Sequence, residues 1–295
     1  MAEATVHIHC RRVDFEKWHA LGNDYLIVAR TDLPFELTPA RVRALCAGHT
    51  GIFADGVLLL SAPDAPGFVA RLQIFNPDGS EAELSGNGAR EAVLYLRRNG
   101  WTDRDRFRIQ TAAGEIQPTI TSPTTASLTL GRVRLASADY PAGAPDGTGE
   151  LTDDDRVWRF QHVQVGNPQC AILVEGERAL EALTLPEIGP GIEHHELFPN
   201  RTNVSWYVPL APGRIRARIF ERGVGETSAS GTGATGAAVA HVLRGGESPV
   251  TVVLDGGELE VEVGEDLHVT LTGWAVPVFR GTLAEEFVKE LHEAE

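Results

Sequence analysis

The chain has 295 residues, of which 42% are hydrophobic and 23% charged, and its formal net charge is −15. That length accommodates two domains of ordinary size, and that composition describes folded globular chains rather than disordered ones. So acidic a balance argues against nucleic acid or an anionic membrane surface as the main partner, while leaving open a small anion captured by local dipoles.

Taken in order, Val6–Cys10 and Val13–Trp18 read as strands, Gly22-Asn23-Asp24 as a turn, and Tyr25–Ala29 as the next strand. Thr38-Pro39 is an N-cap followed by proline in the first turn, which predicts a helix to about Ala47. Gly51–Gly56 leads into an apolar strand over 57–60. Val69–Phe75 alternates as a strand and ends at the turn signal Asn76-Pro77-Asp78-Gly79. A helix follows, with Ala89, Ala92, Val93 and Leu96 on one face, stopped by Asn99-Gly100. Strands are expected near 107–111, 116–120 and 127–130, and the turn-rich stretches 121–125 and 142–149 mark a domain boundary region. The second half predicts strands over 157–165, 170–174, 202–208 and 215–220, with a short helix around Leu180–Leu183. A buried helix over 233–243, strands near 250–254, 259–263 and 267–272, and an amphipathic helix over 283–292 complete it. The fold class is α+β: two similar halves, 1–131 plus 275–295 and 132–274, each a sheet wrapped around one central helix.

Two stretches look like copies of one another. Glu81-Ala-Glu-Leu-Ser85-Gly86-Asn87-Gly88-Ala89 and Glu226-Thr-Ser-Ala-Ser230-Gly231-Thr232-Gly233-Ala234 share Glu, Ser, Gly, Gly and Ala at matching offsets. Each carries a glycine loop into an Ala-rich run, the pattern of a loop opening a helix. The first amides of a helix lack intrahelical partners and the dipole is positive there, so a carboxylate or phosphate is favoured. Two such ends suggest half-sites that face a single anionic ligand, with Ser85 opposite Ser230 across a pseudo-twofold axis.

No run approaches the ~20 apolar residues of a membrane span, and the N-terminal residues present, Met1–His9, are not expected to act as a secretion leader. The three cysteines, Cys10, Cys46 and Cys170, are scattered without metal-type spacing, which fits a reducing cytosol. His194-His195 has no acidic or Cys partner at ligand spacing, so no metal site is expected.

These residues resemble the diaminopimelate epimerase family over nearly the whole chain. The resemblance rests on Gly22-Asn23-Asp24, Thr50–Asp55, Asn76–Ala82 leading into Ser85–Gly88, Gly166-Asn167-Pro168, Arg201-Thr202-Asn203, and Glu221–Thr227 leading into Ser230–Gly233. It implies cofactor-independent inversion at an amino-acid α-carbon, with LL- and meso-diaminopimelate, precursors of lysine and peptidoglycan, as the substrate pair. It further implies that Asn23, Asn76, Asn167 and Asn203 hold the distal end and amino groups of the substrate. Glu221-Arg222 and the loop residues Gly86, Asn87, Gly231 and Thr232 would hold the reacting end. The expected partner is thus a small amino acid, with neither nucleic acid nor membrane; pairing of two copies as a homodimer is left open.

The family places a cysteine before each Gly of the two loops, and here both positions are serine, Ser85 and Ser230. A cysteine thiol ordinarily ionises at a pKa of about 8.5, within reach of helix dipoles, whereas a serine hydroxyl needs an adjacent base. Gln169 stands where the family has a histidine, and Gly56 where some members have a glutamine. Glu221 is retained. Three readings follow: an epimerase with serines in the thiol positions, a lyase or isomerase with Glu221 as sole base, and a binding protein that has lost the reaction. Cys170 reads as a core residue, and Glu91 as a surface carboxylate near the helix start.

Overall fold

The computed structural model describes residues 12–83, 85–154 and 156–294. The strand expected over Val6–Cys10, and Cys10 itself, lie outside the described residues.

The chain divides into two compact units. In the first, made of residues 24–116 with the two terminal segments 12–19 and 276–294, the elements are β1 (Asp14–Ala20), β2 (Asn23–Ala29), α1 (Pro39–Cys46), β3 (Val57–Ser61), β4 (Ala70–Phe75), β5 (Glu81–Ala82), α2 (Gly86–Arg98), β6 (Ile109–Thr111) and β7 (Gly114–Ile116). The second unit, residues 20–23 and 117–275, contains β8 (Pro118–Ser122), β9 (Thr125–Arg132), β10 (Thr148–Asp153), β11 (Arg156–Val165), β12 (Asn167–Leu173), α3 (Glu177–Glu181), α4 (Leu185–Glu193), β13 (Asn203–Ala211), β14 (Arg214–Glu221), β15 (Gly225–Thr227), α5 (Gly231–Leu243), β16 (Val250–Leu254), β17 (Gly257–Val263) and β18 (His268–Trp274). The chain then returns to the first unit with β19 (Val276–Thr282), which pairs antiparallel with β1, and α6 (Glu285–Glu293).

The units share one plan. An 8-stranded sheet runs β19-β1-β2-β3-β4-β6-β7 with β5 added on β4, and an 11-stranded sheet runs β10-β11-β12-β13-β14-β16-β17-β18-β9-β8 with β15 added on β14. In the first, β2 pairs parallel with β3, β3 antiparallel with β4, and β4 parallel with β6. In the second, β12 pairs parallel with β13, β13 antiparallel with β14, and β14 parallel with β16. Each parallel step needs a crossover. α1 and α2 supply it in one sheet; α3 with α4, and α5, supply it in the other. The duplicated α+β architecture read from the two glycine loops is therefore what the chain adopts. β8 and β9 belong to the second sheet, so the compact units divide after residue 116 and not at the 131–132 boundary expected from the sequence.

Differences of detail have local causes. α4 is not predicted by the sequence, because Pro186, Gly189, Pro190 and Gly191 crowd Leu185–Glu193. Its proline at the start of the first turn is tolerated there, and buried Leu185 and Ile192 anchor the helix in the core. β5 and β15 are two- and three-residue returns onto β4 and β14, too short for periodicity to reveal.

Each unit has its own core. In the first, Leu26, Val42, Val57 and Leu291 are fully buried, and Arg41 donates to the Leu291 carbonyl to tie α6 to α1. In the second, Trp206 packs edge-on against Trp158 with ring centroids 6.0 Å apart. α5 lies against β11–β14 and β16–β18, buried along Gly233–Ala240 because its residues are small enough to let strands approach from several sides. No helix among the described residues is long and apolar enough to cross a membrane.

Trp206 is fully buried and its indole N–H lacks a hydrogen-bond partner. Trp206→Ala is expected to cost ~3–5 kcal/mol in urea denaturation. Trp206→Phe should cost much less, since no hydrogen bond is lost.

Candidate active site

Both glycine loops open helices, and in both the serine is the N-cap. Ser85 has extended backbone, and its Oγ accepts from the Gly88 N–H at 3.1 Å. Ser230 does the same toward the Gly233 N–H at 3.2 Å. Glycine is required at Gly233, where a Cβ would lie 2.7 Å from Ile219 Cδ1. Gly86 with Asn87, and Gly231 with Thr232, thus occupy first-turn positions whose amides point out of a helix end, where anions are favoured.

Sheet register gathers the remaining motifs of each unit. In the first, parallel pairing of Leu26 with Val57 sets Asp24 beside Asp55, and antiparallel pairing of Val57 with Phe75 brings Asn76 near. Asp24 and Asp55 exchange hydrogen bonds, each backbone N–H donating to the other's carboxylate at 3.0 Å. Lys17 binds Asp24 at 2.9 Å. These aspartates are therefore loop fasteners. Asn76 donates its amide to Ser80 Oγ at 2.9 Å inside its own turn. Asn23, at the start of β2, is half-buried. Tyr25 donates to Ser85 Oγ at 3.3 Å, a contact that the sequence gives no signal for. Its ring explains Gly56: a Cβ at 56 would lie 2.6 Å from Tyr25 Cε1 and 2.3 Å from the Phe75 carbonyl oxygen.

In the second unit, Gln169 pairs with Asn203 across β12 and β13, and Val204 with Phe220 across β13 and β14. Asn203 is buried and bridges two segments. Its amide donates to the Pro168 carbonyl at 2.9 Å, and its Oδ1 accepts from the Arg222 N–H at 2.9 Å. Glu193, which sequence reasoning passed over, accepts from the Gly223 N–H at 2.9 Å and so steadies the same turn. Arg222 extends to the Asn200 carbonyl at 2.9 Å. Asn167 donates to Thr232 Oγ1 at 3.3 Å, and its Oδ1 accepts from the Gln169 amide at 2.7 Å. Gln169 fits because Gly236 has no side chain; a Cβ there would lie 2.8 Å from Gln169 Cβ.

The informative electrostatics belong to Glu221. Burial raises its pKa above the ordinary glutamate value, while hydrogen bonds from Ser230 and Thr227 pull it back. A half-buried carboxylate with a raised pKa, bonded to the N-cap serine, is equipped to accept a proton more readily than an ordinary glutamate. The described cysteines are not bases of this kind. Burial pushes the Cys46 thiol up to about 12 and Cys170 well above its ordinary range, and Cys170 is the core residue that its strand position indicated.

Glu91 corrects the sequence reading: it is fully buried. A surface position would require α2 to keep a wet face, but the helix is enclosed from Asn87 to Leu94. Burial drives the Glu91 pKa well up, against the opposing charge of Arg90 and the Tyr25 backbone N–H; Asp24 and Asp55 raise it further. Arg90, equally buried, is pulled down to about 10 and bonds Asn87 Oδ1.

A groove of about 500 Å³ in the second unit is lined by Arg156, Trp158, Arg159, Leu173 and their neighbours, and by no residue of the glycine loops.

The raised pKa of Glu91 has a definite sign. Between its unfolded value near 4.5 and its higher folded value, the folded chain holds a proton that the unfolded chain releases, so stability falls as pH rises through that window. Glu91→Gln should remove the decline, raising the urea midpoint more at pH 8 than at pH 5. Asn203→Ala should cost about 1–3 kcal/mol and speed amide exchange at Arg222, because the bridge to the Glu221 turn is lost.

The diaminopimelate epimerase family model matches residues 15–136 and 161–278. A diaminopimelate epimerase from Synechococcus sp. (strain JA-3-3Ab) is 39% identical over 283 residues, covering 93% of this chain and 99% of that protein. Among solved structures, a hydroxyproline epimerase from Agrobacterium vitis aligns with a TM-score of 0.64 at 16% identity, over 92% of this chain and 91% of that one. A PhzF-family phenazine biosynthesis protein from Bacillus anthracis aligns at 0.63 and 15% identity, over 92% and 99%. At such identities the structural likeness speaks for the fold alone, whereas the relative and the family model together cover most of the sequence. The chain belongs to the diaminopimelate epimerase family of isomerases.

Proposed function

We propose that this chain inverts the α-carbon of diaminopimelate, interconverting the LL and meso forms in the cytoplasm as a step toward lysine and peptidoglycan precursors. Glu221 and the two N-cap serines are the proton-handling groups of this scheme. The observation that carries it is the Glu221 carboxylate: raised in pKa and hydrogen-bonded to Ser230, it supplies the adjacent base that a serine hydroxyl needs.

In this scheme Ser230 takes the α-proton as its own proton passes to Glu221, so the C–H bond breaks and the carboxylate becomes a carboxylic acid. The electron pair left on carbon delocalises into the α-carboxylate. Amides at the loop positions Gly86, Asn87, Gly231 and Thr232 stabilise the growing charge there, a contribution that for one such donor is typically worth ~2.7–4 kcal/mol. Ser85 delivers a proton to the opposite face. Asn23, Asn76 and Asn167 orient the distal and amino groups, Asn203 by holding the loops on either side of it, and Arg222 holds the reacting end. Each amide side chain does so without adding net charge. The scheme calls on no cofactor.

A specific observation favours carboxylate chemistry over thiol chemistry: the described cysteines are buried, with raised pKa values. Activity should accordingly rise with pH through the Glu221 pKa, above the ordinary 4.5, because the base must be ionised.

The test is α-proton loss followed by NMR in D2O with LL- and meso-diaminopimelate. The parent should exchange the proton. Glu221→Gln should slow exchange at least ~100-fold, the low end of what a positioned general base contributes. Ser85→Cys combined with Ser230→Cys should speed it, since thiols ionise far more readily. A parent that exchanges neither substrate, together with an inert double-Cys variant, would retire the epimerase reading.

A further inference from the structure

Among the described residues no carboxylate is bonded to Ser85: what reaches its oxygen is the hydroxyl of Tyr25, at 3.3 Å. Ser85 Oγ therefore accepts from two donors, Tyr25 and the Gly88 N–H. A serine oxygen has two lone pairs and one proton; with both lone pairs engaged, the hydroxyl proton of Ser85 is what remains to be given away.

The placement of Tyr25 rests on rigid elements. It lies on β2, one residue before the Leu26–Val57 pairing with β3, where the Leu26 N–H donates to the Gly56 carbonyl at 3.0 Å. Its ring is buried, 6% exposed, in space that exists because residue 56 is glycine. Ser85 in turn is fixed by its cap on α2. Tyr25 and Gly56 thus form a matched pair, tyrosine filling what glycine vacates, and the outcome of that match is a phenol against the loop serine.

We propose that Tyr25 is the proton supply of Ser85, acting through it as a positioning residue in the isomerisation. This rests on the epimerase reading above and assigns the second proton that the reading requires. As the electron pair of the carbanion takes the Ser85 proton, a C–H bond forms and the Ser85 O–H breaks. In the same step the Tyr25 O–H breaks and a new Ser85 O–H forms. The negative charge then rests on a phenolate, whose conjugate acid ordinarily has a pKa of about 10, and not on a far more basic alkoxide. Water then returns a proton to the phenolate, and the hydroxide so formed takes the proton held by Glu221, which restores phenol and carboxylate together. In the reverse direction the phenolate accepts from Ser85 while Ser85 removes the α-proton.

This division of labour predicts a signature that a packing role would not give. Tyr25→Phe keeps the ring in its seat and removes only the hydroxyl. The epimer whose α-proton meets Ser230 still loses and regains it through Glu221, so its deuterium wash-in without inversion persists within about twofold, while wash-in from the epimer that meets Ser85 falls with inversion. Formation of the opposite configuration should fall at least ~10-fold. A fluorinated tyrosine incorporated at position 25, a more acidic phenol of nearly the same shape, should restore inversion. The experiment follows deuterium content and configuration together, by NMR and chiral chromatography, from LL- and meso-diaminopimelate in D2O, with substrate binding checked by calorimetry. Inversion at the parent rate in Tyr25→Phe overturns the proposal. So does an equal fall of wash-in and inversion that fluorotyrosine leaves unrescued. A parent protein that neither exchanges nor inverts overturns the epimerase reading and this inference with it, whereas an active parent with an unaffected Tyr25→Phe overturns this inference alone.

Discussion

One constraint recurs in both units: a helix that begins inside a sheet must have its first amides satisfied, and a serine side chain does it. Ser85 and Ser230 each place Oγ on the amide three residues on. Cap and proposed proton carrier are then the same atom. The cap fixes the oxygen within a narrow range of positions, which a proton transfer needs, and it adds an N–H donor that lowers the cost of negative charge on that oxygen. Everything placed around the serines follows from that fixed point, the phenol of Tyr25 in one unit and the carboxylate of Glu221 in the other.

The sheets assemble the site without relying on long loops. In each unit a parallel pair followed by an antiparallel one brings three strand ends together: Asp24, Asp55 and Asn76 in the first, Gln169, Asn203 and Glu221 in the second. Several polar residues at these ends spend hydrogen bonds on one another. The reciprocal Asp24–Asp55 pair and the Asn203 bridge from Pro168 to Arg222 are fasteners, and Glu193 performs the same service for Gly223. The proposed binding residues, held by such fasteners, lose little further freedom when a ligand arrives, which is the benefit of preorganisation.

Buried charge is handled differently in the two helices. α5 avoids it, being built of Gly, Ala, Thr and Val over its enclosed turns. α2 carries Arg90 and Glu91 into the interior, and burial pushes both toward neutrality. No salt bridge joins the two among the described residues, so desolvation of each is a cost to stability. The duplicated plan thus tolerates quite different interiors around the same loop.

By itself the sequence determined the duplicated architecture, the glycine loops and most of the longer elements, but not α4, β10 or β19. Those features are local: caps, turn residues and periodicity act within a few positions of the chain, as Thr38-Pro39 before α1 and Asn99-Gly100 after α2 illustrate. It also singled out Ser85, Ser230 and Glu221, because motifs survive in linear order. Tertiary structure decided what depends on neighbours remote in sequence. Glu91 went from surface to interior because strands enclose a helix whose pattern suggested an open face. Gly56, a mere departure from a motif, acquired a reason only when the Tyr25 ring was found against it. Asn203 and Asn76 look alike in sequence, yet one bridges two distant segments and the other closes its own turn. The difference lies in what the sheet places opposite each, and spacing along a chain carries no record of that.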